Sequence, residues 1–135
     1  MIYLLDTNAW IGYLNGCSLA IANRIATTGL SNLRLCSVVV AELAFGAHKG
    51  TKTAENLRVL DNLQRNLISL PFDDGAALVY GRVRAHLQKM GTPIGPNDLM
   101  IASIALVNDL TLVTHDIREF SRVPSLKLED WNASP

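Results

Sequence analysis

The chain opens on a short apolar run, Ile2-Tyr3-Leu4-Leu5, that stops at an acid, Asp6. A short run with no polar alternation predicts a strand covered on both faces. Over residues 7–14 the apolar positions Ala9, Trp10, Tyr13 and Leu14 share one side of a helix, closed by Asn15-Gly16. Ser18 is the expected N-cap of a second helix over 18–28, with Leu19, Ala22 and Ile25-Ala26 at helical spacing and Gly29 as its stop. Residues 33–36 form the second predicted strand. Val38-Val39-Val40 would extend it by propensity, but Ala41-Glu42-Leu43-Ala44-Phe45 is helical, so the helix is placed from Ser37 as N-cap to the glycines Gly46 and Gly50.

Leu57, Leu60 and Leu63 with Leu67 give an amphipathic helix over 53–66, followed by a third strand, Ile68-Ser69-Leu70. Asp73 caps a long helix to about Met90, whose apolar side carries Ala76-Ala77, Tyr80, Val83 and Leu87. Pro96 suits a first helical turn, and the helix over 97–107 is apolar nearly all round, which demands a central position. Residues 110–114 are the fourth strand, 126–128 a short fifth, and the tail after Trp131 is expected to be loose. Strands alternating with helices predict an α/β fold, a three-layer α/β/α sandwich on a mainly parallel sheet of four to five strands. The helices over 37–49 and 73–90 carry more apolar residues (Val40, Leu43, Phe45, Leu78, Val79, Val83) than one sheet face covers, which predicts a homodimer.

With 135 residues, 49% of them apolar and 18% charged, the chain suits one domain spanning 1–135 with a full core. No apolar run approaches the roughly 18 residues of a membrane span, and no basic stretch precedes the first apolar run as in a signal peptide. Cys17 and Cys36 have no paired histidines nearby, so they build neither a zinc site nor a disulfide framework; Cys36 reads as a buried thiol. A cytoplasmic location fits best. The net charge is +0, whereas a protein that binds nucleic acid by neutralising phosphates is normally basic.

Most acids stand where surface acids belong. Asp73 and Asp74 open a helix, Asp109 follows a helix end, and Glu55, Asp61, Glu119 and Glu129 fall on polar faces or in loops. Four do not. Asp6 ends an apolar strand, and Asp116 follows Leu112-Val113-Thr114 in the same way, so both emerge at the carboxyl edge of a parallel sheet, where such folds bind ligands. Glu42 sits among Val38, Val39, Ala41, Leu43, Ala44 and Phe45, and Asp98 in the first turn of the most apolar helix. Unpaired buried carboxylates are costly and raise one another's pKa. A hard divalent cation resolves the conflict, and oxygen ligands without His or Cys favour Mg2+ or Mn2+ over zinc. Such an ion serves phosphate chemistry and answers the charge objection, since it supplies the local positive potential itself. Arg82, Arg84, His86, Lys89 and His115 are candidates to guide the flanking backbone, although solvated surface positions are the commoner role for such residues.

These blocks resemble the PIN-domain ribonucleases. The resemblance rests on Leu5-Asp6-Thr7-Asn8, Ser37-Val38-Val39-Val40-Ala41-Glu42-Leu43, Gly95-Pro96-Asn97-Asp98-Leu99-Met100-Ile101-Ala102 and Leu112-Val113-Thr114-His115-Asp116 with Glu119-Phe120, in that order. Leu128-Glu129-Asp130-Trp131 resembles the tail of VapC-type toxins, so the match spans nearly the whole chain. The resemblance implies a Mg2+- or Mn2+-dependent endoribonuclease, usually a homodimer, the toxin of a type II toxin–antitoxin pair with a VapB-like antitoxin, meeting DNA only through that antitoxin. It implies Asp6 and Asp98 as main metal ligands, Glu42 and Asp116 as completing the catalytic quartet, and Thr7, Asn8 and Thr114 as hydrogen-bonding support. The fourth acid varies in these toxins and is often Asn.

Three rivals are weaker. A haloacid-dehalogenase-type phosphatase needs an Asp two residues after the first, where Asn8 stands. A response-regulator receiver needs paired acids after the first strand and a lysine at the end of the last strand, and has neither here. A PIN-like domain that only binds a partner would be expected to have shed at least one costly acid. The RNA that is cut depends on surfaces around a shared site, and the sequence does not name it.

Overall fold

The computed structural model describes residues 1–132. Five strands, β1 (Tyr3–Leu5), β2 (Leu33–Cys36), β3 (Ile68–Leu70), β4 (Thr111–Val113) and β5 (Lys127–Glu129), form one sheet in the order β3-β2-β1-β4-β5. Every pairing is parallel; Leu4 lies beside Arg34 on one side and Leu112 on the other. The helices are α1 (Thr7–Leu14), α2 (Leu19–Thr28), α3 (Ser37–Lys49), α4 (Thr53–Asn66), α5 (Asp74–Lys89), α6 (Pro96–Val107) and α7 (Ile117–Phe120). From β1 the chain steps outward to β2 and β3, then crosses back to β4 and steps outward again to β5. Right-handed crossovers therefore put α1–α4 on one face and α5–α7 on the other, giving the expected three layers. The direction of winding reverses between β1 and β4, which makes the carboxyl ends of those two strands the switch point of the sheet.

The pattern of buried residues follows from this architecture. Leu4, Leu5, Leu33, Leu35 and Leu112 are wholly buried, as strands covered on both faces require. Leu99, Ile101, Ala102, Ile104 and Ala105 of α6 join the same core, which explains why that helix is apolar nearly all round. Ser18 and Asp73 cap α2 and α5 as expected, accepting from the Ile21 and Ala76 amides. Ser37 does not cap α3. It is the first helical residue, after Cys36, and its Oγ accepts from the Phe72 amide at 3.1 Å, tying the end of β2 to the loop after β3. Val83 belongs to the core and not to an external apolar surface, whereas Phe45 and Leu78 are 67% and 78% exposed. Cys36 is a buried free thiol and Cys17 an exposed one. Among the described residues no helix is long and apolar enough to cross a membrane. The tail expected to be loose lies, from residue 133 on, outside the described residues.

Candidate active site

Asp6 is placed by two elements at once. It ends β1, its amide donates to the Val113 carbonyl at 3.0 Å, and it is the N-cap of α1, with Oδ1 accepting from the Ala9 amide at 2.9 Å. Its other oxygen accepts from Thr114 Oγ1 at 2.6 Å. Thr114 in turn accepts from the Asp116 amide at 3.0 Å, so one hydroxyl couples the ends of β1 and β4. Across the cleft Glu42, half-buried on α3, accepts from Thr7 Oγ1 at 2.5 Å and from Asn97 Nδ2 at 3.5 Å. These contacts bring the start of α6 against the middle of α3 and leave Asp98, half-buried, facing the other acids.

The electrostatics follow from this crowding. Burial pushes the Asp98 carboxyl up to about 7, and the charges of Glu119, Asp6 and Glu42 push in the same direction. Asp6 is also raised, chiefly by burial, against the pull of Thr114 and the Ala9 amide; Asp116 and Glu42 add to the rise. Asp6, Glu42 and Asp98 are therefore drawn into one field. Asp116 stands at its edge on the Asp6 side, exposed, with Oδ1 taken up in capping α7 through the Glu119 amide at 3.1 Å.

Glu119 is the acid that the polar pattern misplaces. Read along the chain it is one more surface carboxylate, yet its charge helps to push the Asp98 carboxyl up, and it accepts from the Gly95 amide at 3.1 Å, joining α7 to the start of α6. The available signal was its spacing: three residues after a capping Asp, Glu119 falls within the first turn of α7 and next to the site. Of the five guiding residues, only His115 shares a cavity wall with Asp6 and Asp116. Arg82, Arg84, His86 and Lys89 lie exposed along α5, with Arg84 over the Tyr80 ring at 6.0 Å.

The donor set is oxygen-only and anionic, the chemistry of a hard divalent cation. Among the described residues no three His, Cys, Asp or Glu side chains converge into a ready-made cage. Mg2+ does not need one, since it keeps several waters and takes one or two protein carboxylates. The hydroxyl and amide partners of Asp6 and Glu42 would hold such ligands in place without supplying counter-charge.

Residues 3–126 match the PIN domain family. The chain is 38% identical over 133 residues to "Ribonuclease VapC2" of Rickettsia felis, covering 98% of this chain and 99% of that one. This chain is a PIN domain of the VapC type. It is 37% identical over 131 residues to the "tRNA(fMet)-specific endonuclease VapC" of Salmonella typhimurium, covering 96% of this chain and 97% of that one. Among solved structures this VapC-type domain superposes on the DNA-bound VapBC complex of Salmonella typhimurium with a TM-score of 0.90 at 36% identity, covering 97% and 98% of the two chains. The five-stranded parallel sheet and its flanking helices are thus the PIN fold.

Proposed function

We propose that the protein is a Mg2+- or Mn2+-dependent endoribonuclease, the toxin of a toxin–antitoxin pair, working in the cytoplasm. The observation that carries this reading is the Asp98 carboxyl, held near neutrality by burial beside Glu119, Asp6 and Glu42. A structural site gains nothing from such crowding, whereas a cation relieves it. Asp6 and Asp98 are assigned as the direct ligands, Glu42 and Asp116 as the acids that complete the catalytic set. When bound, the ion supplies Lewis-acid stabilisation of the charge that develops at the scissile phosphate. The chain's own residues do the rest. Thr114 fixes the Asp6 carboxylate, Thr7 and Asn97 fix Glu42, and Asn8, exposed beside them, faces the incoming strand. The names of the relatives, ribonuclease and tRNA(fMet)-specific endonuclease, support RNA as the substrate class.

The test is cleavage mapping on total cellular RNA, with tRNA(fMet) as the first single substrate. Cuts are expected with Mg2+ or Mn2+ and none with EDTA. Absence of cleavage with either ion, or equal cleavage in EDTA, refutes the reading.

Assembly belongs to the same proposal. The VapBC complexes among the solved structures support a VapB-like antitoxin as partner, with DNA contacted only through it. Phe45 on α3 and Leu78 on α5, both well exposed, support a homodimer. Light scattering at micromolar concentration is expected to report twice the chain mass of 14.7 kDa, and a strict monomer counts against it.

A further inference from the structure

Asp6 and Asp116 stand on the wall of a cavity of about 450 Å³. Its wall is built from the ends of β4 and β5 and the start of α1, with His115, Asp130, Trp131, Asn132 and Asn8 on its surface. Of this lining the metal reading uses Asp6, Asp116, Thr114 and Asn8, and leaves His115, Asp130, Trp131 and Asn132 without a role. That volume falls within the roughly 300–1,000 Å³ of small-molecule pockets, room for a nucleoside and not only for a phosphate.

The wall is fixed from behind. Trp131 is buried, packs edge-on against Tyr3 at 5.1 Å, carries Arg24 over its ring at 4.7 Å, and donates from Nε1 to Glu129 at 3.1 Å. Asn132 is pinned to the start of α2 by Ser18, whose Oγ donates to its Oδ1 at 2.5 Å. On this wall His115 is oriented and still available. Its Nδ1 lies 3.0 Å from Asp130 Oδ2, and since a carboxylate only accepts, that nitrogen carries the donated hydrogen. The His115 side chain is 75% exposed while that of Asp130 is 17% exposed, so the ring face and the opposite edge are left to the cavity. The other Asp130 oxygen accepts from the Asn132 amide at 2.9 Å, which fixes the acid that fixes the ring.

The chemistry of this lining selects its occupant. Asp6, Asp116 and Asp130 give the cavity a negative cast that disfavours a second phosphate, while amide and carboxylate groups suit a neutral ring with hydrogen-bond donors. Unpaired RNA bases are read in this way, by stacking on aromatic or histidine rings with polar groups at their edges. We propose that this cavity holds one unpaired nucleobase next to the scissile phosphodiester, with His115 as the ring that contacts it and Asp130 as a positioning residue acting through His115. The proposal rests on the nuclease reading above and adds to it a place where sequence preference arises.

The experiment is steady-state cleavage of a short single-stranded RNA pool of randomised sequence by the full chain with Mg2+, read by sequencing of the products. Wild type is compared with His115→Ala, His115→Phe and Asp130→Asn. Base–ring stacking is worth enough to raise KM about tenfold when the ring is removed. His115→Ala is expected to show that rise, with kcat changed far less, and to flatten base preference at one position beside the cut. His115→Phe keeps a stacking ring and is expected to recover most of the KM; Asp130→Asn is expected to fall between. A general structural role would not give that split or that rescue. Wild-type protein that cuts no RNA overturns both readings. Wild-type protein that cuts, with the three variants matching it in KM and base preference, overturns this proposal alone. Variants that cut normally but hold an antitoxin less tightly overturn it too, and give the cavity to a protein partner.

Discussion

Asp98→Asn is expected to lower the rate of RNA cleavage by more than the roughly 10- to 100-fold that outer-shell substitutions cost at metal sites, and to raise the melting temperature of the metal-free protein. The two effects have opposite signs for one reason. Asparagine keeps the shape of Asp98 but removes a charge that Glu119, Asp6 and Glu42 all repel, so the fold gains what the site loses. The pH dependence carries the same signature. The Asp98 carboxyl, ordinarily near 3.8, is raised to about 7, so the folded chain holds that proton more tightly than the unfolded chain does. Its contribution to stability is whole below the unfolded value and is lost as pH rises through the folded one. Asp6 is shifted in the same direction and adds to the loss. In EDTA the melting temperature should therefore fall between about pH 4 and 7 more steeply for wild type than for Asp98→Asn. Asp6→Asn should lose cleavage likewise. Thermal unfolding by circular dichroism and single-turnover cleavage of RNA check both halves. Near-wild-type cleavage by either variant shows that the metal ligands are misassigned.

The parts of this site legible in the sequence are those where charge conflicts with its neighbours. Asp6 at the end of Leu4-Leu5 and Asp98 at the start of an all-apolar helix could be found because acids are rare in such surroundings. The strands and most helix ends were legible for the same reason, since apolar runs and caps are local signals. What failed depended on partners distant in sequence. Ser37 has the side chain of a cap, but the Phe72 amide, 35 residues away, takes its hydroxyl, and Cys36 caps without a side-chain bond. The helix over Val38-Val39-Val40, by contrast, was placed correctly from Ser37 on, although the three valines favour strand, because packing against the sheet outweighs propensities of a few tenths of a kcal/mol. Glu119 carries no local conflict, since an acid in the first turn of an exposed helix is ordinary. Its role arises only when the loop before α6 folds over α7 and sets Gly95 and Asp98 against it. Asp116 stands near Asp6, as its place after the fourth strand predicts. A strand-end acid by pattern, it sits one turn past β4, exposed, and spends an oxygen on a cap.

A VapB-like antitoxin is expected to bind less tightly when Mg2+ is saturating, by a factor in the range of about 5 to 150 that couplings between binding sites span. Without a cation the cleft is a cluster of negative charge, and an inhibitor needs only a basic side chain, best an arginine, to pair with Glu42, Asp98 and their neighbours. The protein also offers an anchor for what flanks that arginine. A cavity of about 410 Å³ between α1, α3 and α4 is lined by Ile11, Leu14, Leu43, Val59 and Leu60, and Glu42 stands on its wall. A disordered segment could fold along this apolar surface and deliver its arginine past Glu42 into the acids. Ion and arginine then neutralise the same carboxylates, so each excludes the other. Titration calorimetry of the pair, with and without saturating Mg2+ and repeated on Asp98→Asn, separates the two contributions. The variant should bind more weakly in EDTA, because one charge is gone, but still measurably, because the apolar anchor remains. It should also respond less to Mg2+ than wild type does. An affinity indifferent to both the ion and the substitution places the inhibitor away from the acids, and inhibition would then have to act through a change in the cleft's shape.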